Sequence, residues 1–146
     1  MKELFLTIEQ SKHLQELGLD MSDAIFCWME WKDKRTGELV NIIYDMKNTP
    51  TLSFPNKITP TYTLQEILKK FPPKLNCKVI GKLKNDANLT YGETLKIDRC
   101  ADDKDDVFYS FHYGDNLFNG VTDKNPIQSA YKMLCWVIEN GYIETK

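Results

Sequence analysis

Apolar residues near the end of the chain recur every three or four positions. Across Pro126–Asn140, the residues Ile127, Ala130, Tyr131, Met133, Leu134, Cys135, Val137 and Ile138 fill an arc of roughly 200° at 100° per residue, which predicts a helix covered on two sides. Both ends are punctuated. Asn125 is placed to cap the first turn, Pro126 sits where no N–H is needed, and Gln128 completes a capping-box pattern. Gly141 supplies a left-handed stop, with Tyr142 placed to touch Val137. Trp136 projects outside the apolar arc, among Gln128, Ser129, Lys132, Glu139 and Asn140. Either a loop or the N-terminal segment folds over its ring, or the ring is a partner-binding anchor of the kind in which Trp is enriched.

The same reading runs along the rest of the chain. Thr7 and Gln10 box the start of a first helix, IEQSKHLQELG, which stops at Gly18. Its apolar face is thin, Leu14 and Leu17, so it is an edge element and not a core helix. Leu4, Phe5 and Leu6 before it read as a short strand. Residues 24–31 and 38–45 are β-rich runs around the polar turn KDKRTG, an antiparallel hairpin. Ala24, Phe26 and Trp28 alternate with Ile25, Cys27, Met29 and Trp31, so both faces are apolar: the hairpin is buried twice over or part of an interface. Residues 46–61, with Pro50, Pro55 and Pro60, fit no regular element and read as an ordered loop or extended chain. Thr63 and Glu66 then box a second helix, with Tyr62 stapled to Ile67, a stripe of Leu64, Ile67, Leu68 and Phe71, and a stop at Pro72 and Pro73. Three strands follow, 76–84, 93–100 and 107–114, joined by NDANLTYG and ADDKDD as a meander against which the closing helix packs. Helix, hairpin, helix, meander, helix predicts a single α+β domain over residues 1–146. An antiparallel sheet, hairpin plus three-stranded meander, is packed by about three helices with the C-terminal helix central.

Composition narrows the class. Apolar residues are 42 % and aromatics 12 %, enough for a core. A net charge of −2 gives no general pull toward nucleic acid or acidic membranes. No apolar run reaches the roughly 20 residues of a span, and the N-terminus lacks a secretory pattern, so the expectation is a cytoplasmic protein. Cys27, Cys77, Cys100 and Cys135 form no CxxC and read as reduced thiols.

Candidate chemistry is sparse. The cysteines and His112 lack ligand spacing, so neither a metal nor another cofactor is expected. His112, alternating with Phe108 and Ser110 on the outer strand face, and His13 on a polar helix face read as solvated. Cys27 and Cys135 lie on apolar faces; Cys100 sits beside Asp102 and Asp103, a poor setting for a thiolate. The cluster Asp102, Asp103, Asp105 and Asp106 lacks the Gly and Glu of a calcium loop and reads as a solvated turn. Lys78, Lys82, Lys84 and Lys96 share the meander's outer face and are the residues for a phosphate-backbone contact.

Three blocks, EQSKHLQELGLD, PTYTLQEILKKFP and NPIQSAYKMLCWVIENGYI, about a third of the chain, resemble a group of small uncharacterised proteins of phage and mobile elements in Bacteroidetes. That group often carries Trp where this chain has Tyr62. The resemblance implies a bacterial or phage cytosolic setting and brings no catalytic residue with it. The functional expectation is a non-catalytic interaction or accessory protein that meets an unknown protein partner or itself through Trp136, Lys132, Trp31 and Met29. The alternatives are a nucleic-acid accessory protein using the lysine face, and a small hydrolase-like enzyme, which would need an aspartate to join His112 and Ser110.

Overall fold

The computed structural model describes residues 4–47, 57–114 and 121–145 and, for residues 76–80, 90 and 91, the backbone alone. The fold is α+β with antiparallel sheets. The chain divides into two compact units, Met1–Lys69 with Glu144–Lys146, and Lys70–Ile143.

The first unit holds α1 (Ile8–Glu16), β1 (Phe26–Lys32), β2 (Leu39–Asp45), β3 (Ile58–Thr61) and α2 (Leu64–Lys70), with the sheet in the order β2–β1–β3. α1 starts on the expected box: Gln10 N–H donates to Thr7 Oγ1 at 3.1 Å and Thr7 N–H to Gln10 Oε1 at 3.0 Å. It ends at Leu17, with Gly18 at φ +95°. Its buried face is the narrow pair Ser11 and Leu14. α2 is boxed by Thr63 and Glu66, and the same Glu66 carboxylate accepts from Ile25 N–H at 3.3 Å, fixing the helix start to the chain entering β1.

Leu6 is the keystone of this unit. Its N–H donates to the Tyr62 carbonyl at 3.1 Å, and its own carbonyl accepts from Trp28 Nε1 at 2.7 Å and from Thr61 Oγ1 at 3.0 Å. The expected strand at Leu4–Leu6 is a single bridge, Phe5 to Thr63. Phe5 packs edge-on against Phe26, with ring centroids 5.2 Å apart.

β3 corrects the sequence reading, which left 46–61 without a regular element; of that stretch residues 48–56 lie outside the described residues. Ile58–Thr61 is a strand paired with β1. Its proline is tolerated for a geometric reason. Glu30 N–H donates to the Lys57 carbonyl, so hydrogen-bonded pairs fall at every second position, and Cys27↔Pro60 is a non-bonded pair. The missing N–H faces away from β1, as an edge strand permits.

The second unit is a four-stranded meander, β4 (Lys74–Lys82), β5 (Asn88–Ala101), β6 (Val107–Tyr113) and β7 (Val121–Asp123), with α3 (Pro126–Glu139) packed against β6 and β7. Two corrections apply. Asn88–Gly92, read as part of a connection, belongs to β5, and the turn shrinks to residues 83–87, with Asp86 at φ +65°. A fourth strand, β7, precedes α3; residues 115–120 of DNLFNGVTDK lie outside the described residues. α3 itself follows the expected arc, burying Ile127, Ala130, Met133, Leu134, Val137 and Ile138, each contributing about 1.5–3 kcal/mol in the case of the larger side chains. Ser129, placed with the polar sector, is instead fully buried: its hydroxyl donates to the Tyr109 carbonyl at 2.7 Å and ties the helix to β6.

Candidate functional site

In the first sheet, alternation and register place side chains on two faces. Trp28 and Thr61, with Phe26, face the segment around Leu6. The other face carries Cys27, Met29 and Trp31 of β1, their partners Tyr44, Ile42 and Val40 of β2, and Pro60 and Ile58 of β3. Trp31, Val40, Ile42 and Ile58 are 37–45 % exposed, a contiguous apolar strip. Met29, in the middle of the strip, is buried, which corrects its place among the expected contact residues: its neighbours across the ladder, Ile42 and Ile58, take the surface instead.

At the Cys27 end the same face opens into a cleft of about 590 Å³, lined by Cys27, Met46, Ile58 and Pro60 and by the chain that follows α1, Gly18–Ser22. The volume lies in the range of small-molecule sites, and the lining joins apolar side chains to the polar Glu16, Asp20 and Ser22. Beside this chain segment the Tyr62 hydroxyl donates to Asp23 and to the Asp20 carbonyl. Burial, then the bond to Asp23, raises its pKa far above the ordinary value, so Tyr62 is a neutral structural donor.

Trp136 is 41 % exposed and stacks on Tyr142, with ring centroids 5.7 Å apart. The stop is a Schellman motif: Tyr142 N–H donates to the Val137 carbonyl and Gly141 N–H to the Ile138 carbonyl, each at 3.0 Å. The Tyr142 ring was expected on Val137; it lies one residue further back, on Trp136. The tryptophan is therefore covered on one side by the chain that ends its own helix and open on the other. Lys132 pairs with Asp123 at 2.9 Å. The Asn125 N–H, which the same carboxylate accepts, and Lys132 hold Asp123 below the usual carboxylate range.

His112 overturns the solvated reading. It is 2 % exposed, with Nδ1 3.0 Å from the Gly114 carbonyl and Nε2 2.7 Å from Asp98 Oδ2. A carbonyl only accepts, so Nδ1 carries a proton. Asp98 supplies the aspartate that the sequence reading could not find, but the arrangement is not a nucleophile relay. Both ring nitrogens are engaged, and Ser110 Oγ is buried without a hydrogen-bond partner among the described residues. Cys27 and Cys135 are raised, chiefly by burial, and stay protonated thiols; Cys100 is exposed, and these three are free. The acidic turn is a solvent-facing loop in which Asp102 Oδ1 accepts from Lys104 and Asp106 N–H. Half-buried Tyr113 donates to the Pro72 carbonyl at 2.8 Å, and its partial burial pushes its pKa up to about 12.

Among the described side chains, Lys82, Lys84 and Lys96 are spread along the meander. Lys82 pairs with Asn88 and Lys84 lies in the turn beyond it, whereas Lys96 stands opposite His112, eight residues further along β5, roughly 26 Å at strand spacing. Two register shifts in β4, between Leu75 and Lys78 and between Val79 and Gly81, interrupt its alternation. The side chain of Lys78 lies outside the described residues.

No family model, no curated protein and no solved structure matches this chain. Geometry alone carries the functional reading. The apolar strip is one feature that internal packing leaves exposed.

Proposed function

We propose that the protein is a non-catalytic interaction protein working through the apolar face of the β2–β1–β3 sheet, in the setting its resemblance implies, an accessory of a phage or mobile element. The supporting observation is the in-register strip of Trp31, Val40, Ile42 and Ile58. Singly exposed apolar side chains are ordinary, whereas a contiguous strip marks an interaction site. The cleft beginning at Ile58 gives a partner's side chain a socket beside the strip. Trp136 is a second exposed aromatic and a separate contact point.

The test is capture from host extract with the wild-type chain, Trp31→Ser and Trp136→Ala side by side, after thermal melts show that all three fold alike. A protein held by wild type and lost by Trp31→Ser is the expected result. Equal capture by wild type and Trp31→Ser removes the sheet face from the reading, and loss with Trp136→Ala alone moves the contact to α3.

A further inference from the structure

β2 is an edge of its sheet: β1 lies on one side, and among the described residues no strand lies on the other. The direction of its backbone groups follows from the ladder. Asp33 N–H donates to the Glu38 carbonyl and Met46 N–H to the Ile25 carbonyl. Hydrogen-bonded pairs therefore fall at 33↔38, 31↔40, 29↔42, 27↔44 and 25↔46, and the N–H and C=O groups of Leu39, Asn41 and Ile43 point outward, away from β1. Leu39, Val40, Asn41 and Ile42 are exposed, and 39–43 contains no charge, proline or glycine. Natural edges are blunted by such residues, which here stand only at the ends, Glu38 and Asp45.

We infer that a second copy of this chain pairs with that edge, β2 against β2 in antiparallel fashion, with Asn41 on the two-fold axis. The inference deepens the interaction reading above and rests on it for the use of the face. The occupant follows from self-complementarity. Outward-pointing residues must oppose one another, which admits only registers centred on a residue of β2. Centred on Asn41, Leu39 faces Ile43, Val40 faces Ile42, and Asn41 faces its own copy, where two amides bond each other. Moving the axis to Ile42 sets Leu39 against Asp45; moving it to Val40 sets Ile42 against Glu38. Only the Asn41 register keeps both charges off the apolar block. The six-stranded sheet then carries one continuous apolar row, Ile58, Met29 and Ile42 of one chain running into Val40 and Trp31 of the other. A net charge of −2 per chain opposes the pairing little.

Sedimentation velocity over a rising protein concentration tests this, with the expected mass doubling from 17.0 kDa. Asn41→Pro removes an outward N–H that β1 does not use, and Ile42→Lys puts a charge against Val40 of the other chain; both stay monomeric. If Asn41→Pro misfolds, Ile42→Lys decides. A single-cysteine scan fixes the register: under mild oxidation Asn41→Cys cross-links to its copy at least tenfold faster than Val40→Cys, Ile42→Cys or wild type. A wild type that is monomeric at every concentration overturns the inference, as does fastest cross-linking at 40 or 42. Trp31→Ser separates the two readings, because Trp31 lies on the sheet face and not on the edge. A monomeric wild type that loses its captured protein on Trp31→Ser sinks the dimer and keeps the interaction reading; a dimer whose capture ignores Trp31→Ser does the reverse.

Discussion

The two sheets are built from the same parts and treat their surfaces differently. Each is antiparallel, and each buries aromatic side chains: Trp28 in the first, Phe111 in the second. On the second sheet, on the face with Asp98 and Lys96, a half-exposed carboxylate meets a buried imidazole. On the first, the face with Met29 is flanked by Trp31, Ile42 and Ile58, whose apolar surfaces meet water. A polar side chain satisfied within its own sheet asks nothing of a partner. Apolar surface left wet gains by being covered, at about 25 cal/mol per Å². The lesson is that an unsatisfied face is a better guide to contact than an array of reactive residue types.

The largest effects test whether the cores really are alike. Trp28→Ala and Phe111→Ala should each cost about 3–5 kcal/mol in urea unfolding; a loss below about 1 kcal/mol for either would break the parallel. Next, the two faces should respond oppositely. Asp98→Ala removes the partner of Nε2 on the buried His112 ring and should cost about 1–3 kcal/mol, whereas Trp31→Ser should cost at most about 1 kcal/mol. The reverse ranking in thermal melts would mean that the first sheet's face is structural. Smaller still, Gly141→Ala places a Cβ at φ +77° and should cost about 1 kcal/mol while loosening the Trp136–Tyr142 stack. Trp136 fluorescence quenching by acrylamide reads the loosening. Smallest is the acid side. Asp123 is depressed, so its contribution is present above the usual carboxylate pKa and is lost as pH falls through its lower folded value. Lys132→Ala should remove at most about 1 kcal/mol of it. Urea midpoints from pH 6 down to pH 2, compared between wild type and the variant, check the sign.

Much of the fold was legible because its boundaries are local. Thr7 with Gln10, Thr63 with Glu66, Asn125 with Pro126, and Gly141 all act within one helical turn, and sequence spacing expresses them directly. β3 was hidden because Pro60 argues against a strand until the parity of its ladder is known. β7, at three residues, is too short to show a period. The start of β5 was hidden because Asn88 and Gly92 read as turn residues. At the site, alternation in AIFCWMEW made a two-faced hairpin visible, Trp31 included. It could not rank Met29 below Trp31, since burial depends on Ile42 and Ile58, which arrive from other strands. His112 was misplaced for the same reason: its covering partner Asp98 is 14 residues away on another strand. The outward edge of β2 was invisible until strand order was known.

The three hydrogen bonds at Leu6 also set a timetable. During synthesis Leu6 leaves the ribosome before its partner Thr61, 55 residues later in the chain. At about 5–20 residues per second that is a wait of roughly 3–11 s. For that interval β1 and β2 can form their hairpin, but the segment that closes over Trp28 has no second anchor. The first unit is therefore closed by a segment made before the hairpin but anchored after it, and a ribosome stalled before β3 would hold a hairpin with both of its apolar faces open to chaperones.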